Sequence, residues 1–277
     1  LGKPTFIYSQ GIGPVTRQWM NPLIRGVMKR SRYVSVRDAE SAALLARMGV
    51  DRGRIEIVPD PVMGLPLPHA EGTEASGKAG AAGAEPGGER VPVVGVSLRE
   101  WRKDAADLAR AASALATLAR RRAVRLRFLP FHTPDDAAVS HAVMSQLGAI
   151  GASTAEVAAP GEDPQQMLLE VSRCDLVFAM RLHALIYAAN QQVPMLGLSY
   201  DPKIDQFLGR LGLKAIGTTE SLDGEAFADA AEGLLDEAGA QAWRSRHQAA
   251  ILKLEREAEQ PAKQIIQYLR QKIARSR

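Results

Sequence analysis

The sequence predicts an α/β protein built on parallel sheets, and three observations carry that prediction. Short apolar runs alternate with helical stretches, the pattern of strand-crossover-strand units. The runs end in polar loops containing glycine or proline, where a parallel strand would hand the chain to a helix. A hydrophobic fraction of 46% over 277 residues supplies ordinary cores for one large or two modest domains, and it excludes a disordered chain.

Residues 5–9 read as a buried strand, which Gly11-Ile12-Gly13-Pro14 breaks into a loop. A helical stretch over 18–29 leads to a second strand at 33–36, closed by Arg37-Asp38. Asp38 suits the N-cap of a helix over 39–48, and Gly49 ends it. A third strand at 55–58 stops at Pro59-Asp60-Pro61. The segment 70–90 is rich in glycine and alanine and lacks aromatic residues, so it has little with which to offset the entropy of ordering. It reads as a linker; a long surface insertion within one domain is the alternative, because loop closure grows costlier only slowly with length.

Alternation resumes with a strand at 92–98, a helix over 105–122 and a strand at 124–129 that ends in Pro130-Phe131-His132. Helices are expected from Asp135-Asp136 through 147, over 165–172, 182–189 and 204–211, with strands at 174–179 and 194–198. From Gly224 the chain reads as nearly all helix, over 226–238, 242–258 and 262–274, with a break at Gly239 and a start or kink at Pro261. Ile251, Leu254, Ala258, Ile265, Leu269 and Ile273 form an interrupted apolar stripe, suited to packing on its own domain or to a partner surface. The expected division is 1–68, a linker at 69–90, an α/β domain at 91–222 and C-terminal helices at 223–277. The chain opens almost directly on a strand, so the first domain is expected to be truncated.

Charge excludes little: 35 Lys and Arg against 31 Asp and Glu leave +4, a weak preference for anionic partners. Arg270, Lys272, Arg275 and Arg277 make the tail basic, but no base-reading module accompanies them, and no nucleic-acid partner is expected. No run of 18 apolar residues suggests a spanning helix. The single cysteine, Cys174, excludes an intrachain disulfide and fits a reducing, cytoplasmic setting. Gly11 and Gly13 do not make a dinucleotide fingerprint, a Walker A motif is absent, and the 5 histidines lack metal-ligand spacing, so no metal is expected.

Ligands of open parallel sheets gather at the carboxyl ends of strands. That rule selects Gln10, Arg99, Arg102, His132, Asp135, Arg181 and His183 in four loops. His183, just after a strand, suits proton transfer near neutral pH or a structural hydrogen bond. Arg99, beside Trp101, can hold carboxylate or phosphate through paired hydrogen bonds, or can be a surface arginine beside a structural ring. Lys203 offers a point charge after a later strand, and Gly11 and Gly13 permit close backbone approach.

Six segments occur together in order: Tyr8-Ser9-Gln10-Gly11-Ile12-Gly13-Pro14, Ser35-Val36-Arg37-Asp38, Asp60-Pro61, Ser97-Leu98-Arg99-Glu100-Trp101, Met180-Arg181-Leu182-His183 and Tyr200-Asp201-Pro202-Lys203. In this the chain resembles the polysaccharide pyruvyl transferase family, and most closely its bacterial CsaB-like cell-wall enzymes. The resemblance implies a glycosyltransferase-B-like pair of α/β domains. It also implies transfer of the pyruvyl unit of phosphoenolpyruvate to a sugar of a lipid-linked cell-wall precursor, in the CsaB-like branch N-acetylmannosamine. The product is a pyruvate ketal that anchors S-layer proteins, and phosphate is released.

His183 is then the expected acid/base, with Arg99, Arg181 and Lys203 on carboxylate and phosphate. Arg37 serves the site or a salt bridge of the first domain; His132 assists at the cleft or caps the next helix; Gln10, Gly11 and Gly13 line the first loop. No cofactor is implied beyond the donor itself. Peripheral membrane contact, at the inner face, and self-association are left open. A nucleotide-sugar glycosyltransferase and a non-catalytic glycan-binding module are the alternatives.

Overall fold

A computed structural model describes residues 3–13, 15–68, 90–102, 105–159 and 163–275. The linker expected at 69–90 lies, but for Arg90, outside the described residues. The chain divides into two compact units, one of residues 1–64 and 252–277 and the other of residues 65–251. The C-terminal helices, read from sequence as one segment, are thus shared between the units.

The first unit carries a parallel sheet in the order β1 (Phe6–Gln10), β2 (Tyr33–Val36), β3 (Ile55–Ile57). Between the strands run a 3-10 turn (Gln18–Met20) leading into α1 (Asn21–Arg30), and then α2 (Ala39–Arg47). Asp38 caps α2 by accepting the Ser41 N–H at 2.7 Å, and Gly49, at φ +85°, turns the chain out of it. Val34, Val36, Leu45 and Met28 form the core. At the carboxyl end of β1 the pairing register shifts, and Ser9 adopts φ +47°. Buried hydroxyls hold that kink: Ser9 N–H donates to Ser35 Oγ at 2.8 Å, and Ser9 Oγ donates to the Pro59 carbonyl at 2.6 Å.

The second unit carries β4 (Val93–Ser97), β5 (Arg125–Phe128), β6 (Thr154–Val157), β7 (Leu176–Ala179), β8 (Met195–Ser199) and β9 (Gly217–Thr218). All pair in parallel, in the order β6-β5-β4-β7-β8-β9. Helices α3 (Ala106–Arg121), α4 (Asp135–Met144), α5 (Pro164–Ser172), α6 (Leu182–Asn190) and α7 (Pro202–Arg210) make the crossovers, and α8 (Gly224–Leu235) packs on α3. Every residue of β7 is buried, and Val96, Leu126, Phe128 and Phe178 centre the core. Strand order runs outward in one direction through β5 and β6 and in the other from β7. The topological switch point therefore lies between β4 and β7.

The α/β class and the parallel pairing are as the sequence predicts. Two strands escape it: β6, an edge strand with no fully buried residue, and β9, two residues long. The break expected at Gly239 falls instead at Asp236, between α8 and α9 (Glu237–Ala258). Gly239 sits in the first turn of α9, where any side chain would collide with the Gly233 carbonyl, so the glycine serves close approach rather than helix termination. Pro261 lies in the first turn of α10 (Gln260–Arg275), a start and not a kink.

Candidate active site

The loops that follow β4, β5, β7 and β8 emerge side by side at the carboxyl end of the larger sheet, and they carry Arg99, His132, Arg181 with His183, and Lys203. The sheet thus gathers into one unit five of the residues selected by sequence.

After β4, Arg99 lies over two rings, its guanidinium carbon 5.5 Å from the centroids of both Trp101 and Tyr200. The rings lie 4.7 Å apart, and Arg99 Nη1 donates to the Tyr200 hydroxyl at 3.3 Å. Arg99 and Trp101 belong to the loop after β4, whereas Tyr200 follows β8, so the cluster ties two loops across the switch point. Stacking of this kind fixes a guanidinium while leaving N–H groups for an anion. Trp101 is half exposed, at 50%, a ring surface left for a ligand.

Between the loops after β5 and β7 lies a carboxylate that sequence reasoning passed over. Asp136, in the first turn of α4, is only 1% exposed. It takes the Arg181 guanidinium in a two-pronged pair, Nε on Oδ2 at 3.0 Å and Nη2 on Oδ1, and it also accepts the His132 N–H at 3.0 Å. Arg181, expected on the anion, thus spends two donor positions within the protein, and its planar fork is held rigidly beside the start of α6. The sequence signal was the Asp135-Asp136 doublet, of which only the first was selected; the exposed Asp135 makes no comparable clamp.

His183 occupies the first turn of α6 and is exposed. Among the described residues the buried histidine is His247, whose Nδ1 lies 2.8 Å from the Leu211 carbonyl. Arg181 at the N-cap of α6 supplies no side-chain cap, whereas Asp201 caps α7 by accepting the Lys203 N–H at 2.9 Å. The start of α6 consequently offers backbone dipoles to an anion, with Arg181 and His183 beside it. His132 is exposed and lines a cavity of about 300 Å³ with Phe131, Thr133, Asp163, Met167 and Tyr187. A larger cavity, about 610 Å³, opens beside Pro92, Cys174 and Val193 at the amino ends of the strands. Arg90 and Arg122 on its rim are engaged by Asp175 and Asp236, at 2.9 and 2.7 Å. Volume notwithstanding, that end of the sheet is the one that ligands of this architecture avoid.

Arg102 stays with the larger sheet, paired with Glu220 at 2.5 Å, as does Asp135, whereas Gln10, Gly11, Gly13 and Arg37 lie in the first unit. Gln10 ends β1 and is exposed. Arg37 pairs with Asp60 at 3.3 Å and lies against Gly11, where a Cβ would come within 2.7 Å of the guanidinium. Gly13 adopts φ +107° over the Leu44 side chain. The close approach that Gly11 permits is thus made by Arg37.

Fold and site define a class: α/β proteins with parallel sheets whose strand ends gather cations and histidines. The chain belongs to the polysaccharide pyruvyl transferase family, an enzyme family whose model matches residues 1–202. Comparison with curated proteins gives no match. Among solved structures it is similar to a glycosyltransferase from Rickettsia africae ESF-5 (TM-score 0.58, 10% identity, 93% of this chain and 68% of that one). A Listeria monocytogenes protein assigned as a UDP-N-acetylglucosamine 2-epimerase gives TM-score 0.57 and 15% identity over 88% of this chain and 63% of that one. Anabaena HepE in complex with UDP-glucose gives 0.54 and 14%, over 97% and 72%. The chain spans less than two thirds of the length of the Listeria protein, and at these identities the likeness shows the fold alone.

Proposed function

We propose that the chain forms part of a sugar-modifying transferase and that the carboxyl end of its larger sheet holds a phosphorylated donor, phosphoenolpyruvate. One observation carries the reading: Arg99, Arg181, His183 and Lys203 stand in the loops after β4, β7 and β8, around the switch point of one sheet. Phosphoenolpyruvate has a carboxylate and a phosphate, which suit the stacked Arg99, the clamped Arg181, Lys203 and the start of α6. In the proposed chemistry His183 gives a proton to the methylene carbon, leaving the central carbon electrophilic. A sugar hydroxyl attacks that carbon and loses its proton. A second hydroxyl then displaces phosphate, its own proton going to base, to leave the pyruvate ketal. The donor brings the leaving group with it, so this reading needs no separate cofactor. The acceptor is proposed as a sugar of a lipid-linked cell-wall precursor.

The solved structures support a second reading better, transfer from a nucleotide sugar, because those similar to this chain include a complex with UDP-glucose and one with UDP-GlcNAc. Three acids near these loops have protein partners, Asp136 on Arg181, Asp205 on the Ser199 hydroxyl and Glu220 on Arg102, whereas Glu100 and Asp135 are exposed. On this reading a ribose would fall to Glu100 or Asp135, or would need one of the three released. Calorimetry on the folded chain with phosphoenolpyruvate and, in parallel, UDP-glucose and UDP-GlcNAc separates the readings. Binding of phosphoenolpyruvate alone is expected; binding of a UDP-sugar alone reverses the order, and binding of none at millimolar concentration removes both.

A further inference from the structure

We infer that the outer face of α1, with the turn before it, docks on an anionic lipid surface. The helix is apolar on two sides. Its inner side, Ile24 and Met28, packs in the core of the first unit. Trp19, Leu23 and Val27, spaced four apart and therefore on one face, point the other way and are 64%, 60% and 51% exposed. Met20 beside them is also exposed. A helix apolar all round is ordinarily covered, so this face calls for an occupant.

Charge selects which. From residue 3 to residue 37 the chain contains no Asp or Glu. Arg17, Arg25, Lys29 and Arg30 in and beside this element are exposed, with Arg30 on the same outward face as Leu23 and Val27. A protein partner would need an apolar groove ringed by acids, whereas a bilayer with anionic headgroups offers both features on any surface. An indole at the headgroup level, aliphatic side chains just below it and guanidiniums at the phosphates are the arrangement of an interfacial helix. Among the described residues no helix is long and apolar enough to cross a membrane, so the contact is lateral. This surface is independent of the donor chemistry proposed above.

The test is flotation of the full chain with phosphatidylcholine vesicles, with and without phosphatidylglycerol. Binding at least roughly tenfold stronger to the anionic vesicles, weakened by salt, is expected. Trp19→Ser/Leu23→Ser should abolish it, and Arg25→Gln/Lys29→Gln/Arg30→Gln should bring it down to the phosphatidylcholine level, both with unchanged circular dichroism because the altered residues are exposed. Three results overturn the inference: no flotation of the folded wild type; binding that survives both variants and is lost in Ile266→Ser/Leu269→Ser on α10; or a wild-type dimer in sedimentation that the Trp19→Ser/Leu23→Ser change dissociates. Calorimetric affinity for phosphoenolpyruvate in the same variants stays at the wild-type value, so failure here is separable from failure of the transferase reading.

Discussion

The two parallel sheets differ in how completely they bury themselves. In the larger, β7 is buried from end to end and helices satisfy the interior, whereas in the smaller, Glu56 and Ile57 of β3 are exposed and α1 turns an apolar face outward. Their ion pairs follow suit. Asp136 is almost inaccessible and grips Arg181 with both oxygens, while Arg37 meets Asp60 through one contact of 3.3 Å with both side chains partly exposed. The difference teaches where precision is spent: the larger unit fixes the loops that carry candidate chemistry, and the smaller leaves surface available for contact.

The strongest way to break that comparison is to delete both acids. Asp136→Ala leaves a guanidinium and the His132 N–H without their buried partner, and should cost about 3–5 kcal/mol in the unfolding of the larger unit. Asp60→Ala should cost about 1 kcal/mol in the smaller. Urea titrations followed by hydrogen exchange, resolved by region, read both; the amides of β1, β2 and β3 should also exchange before those of β4, β5 and β7. Equal losses with equal protection would erase the contrast.

Next in size is His183→Ala. Loss of an acid/base should lower turnover roughly 10²-fold or more in an assay that supplies the sugar acceptor. Because His183 is exposed, the melting temperature should stay within a degree or so of wild type. A variant with near-normal turnover and an unaltered pH profile transfers the role elsewhere, first to His132. A variant that unfolds would instead make His183 part of the frame.

How much of this was legible in the sequence depends on how local the cause is. The strands β4 and β7 declare themselves as apolar runs, Asp38 and Gly49 mark the ends of α2, and the loops after β4, β7 and β8 carry motifs that stand out without coordinates. The edge strand β6 is invisible because half-burial gives it no apolar run. The Asp136 clamp is invisible because its partner lies 45 residues away and nothing in a doublet of acids says which one turns inward. Tyr200, too, is quoted in a motif but gains its role only when β8 is placed so that its ring reaches Arg99. Strand order, the global fact that decides which loops are neighbours, cannot be read from alternation alone.

The smallest effect separates the units by pH, through one cross-strand pair in each. In the larger, Glu156 on β6 faces Arg127 and Arg125 on β5 at 2.7 and 3.1 Å. Burial pushes its carboxyl up, but the hydrogen bonds from Arg127 and then Arg125 outweigh that and hold it below the ordinary 4.5. A depressed carboxylate contributes stability that is complete above its unfolded value and is lost as pH falls through the folded one. In the smaller unit, Tyr33 on β2 donates to Glu56 on β3 at 2.6 Å, and burial followed by that bond raises the phenol above its ordinary 10.0. Here the contribution is complete below the unfolded value and is lost as pH rises through the folded one. Glu156→Gln should therefore flatten the acid limb of the larger unit's stability below about pH 4.5, and Tyr33→Phe the alkaline limb of the smaller unit's above about pH 10. Glu156 is 44% exposed, so its difference near neutral pH should stay within about 0.5 kcal/mol. Region-resolved hydrogen exchange across the pH range measures both limbs. If Glu156→Gln alters the alkaline limb, or Tyr33→Phe the acid one, the two pairs do not act through the bonds described.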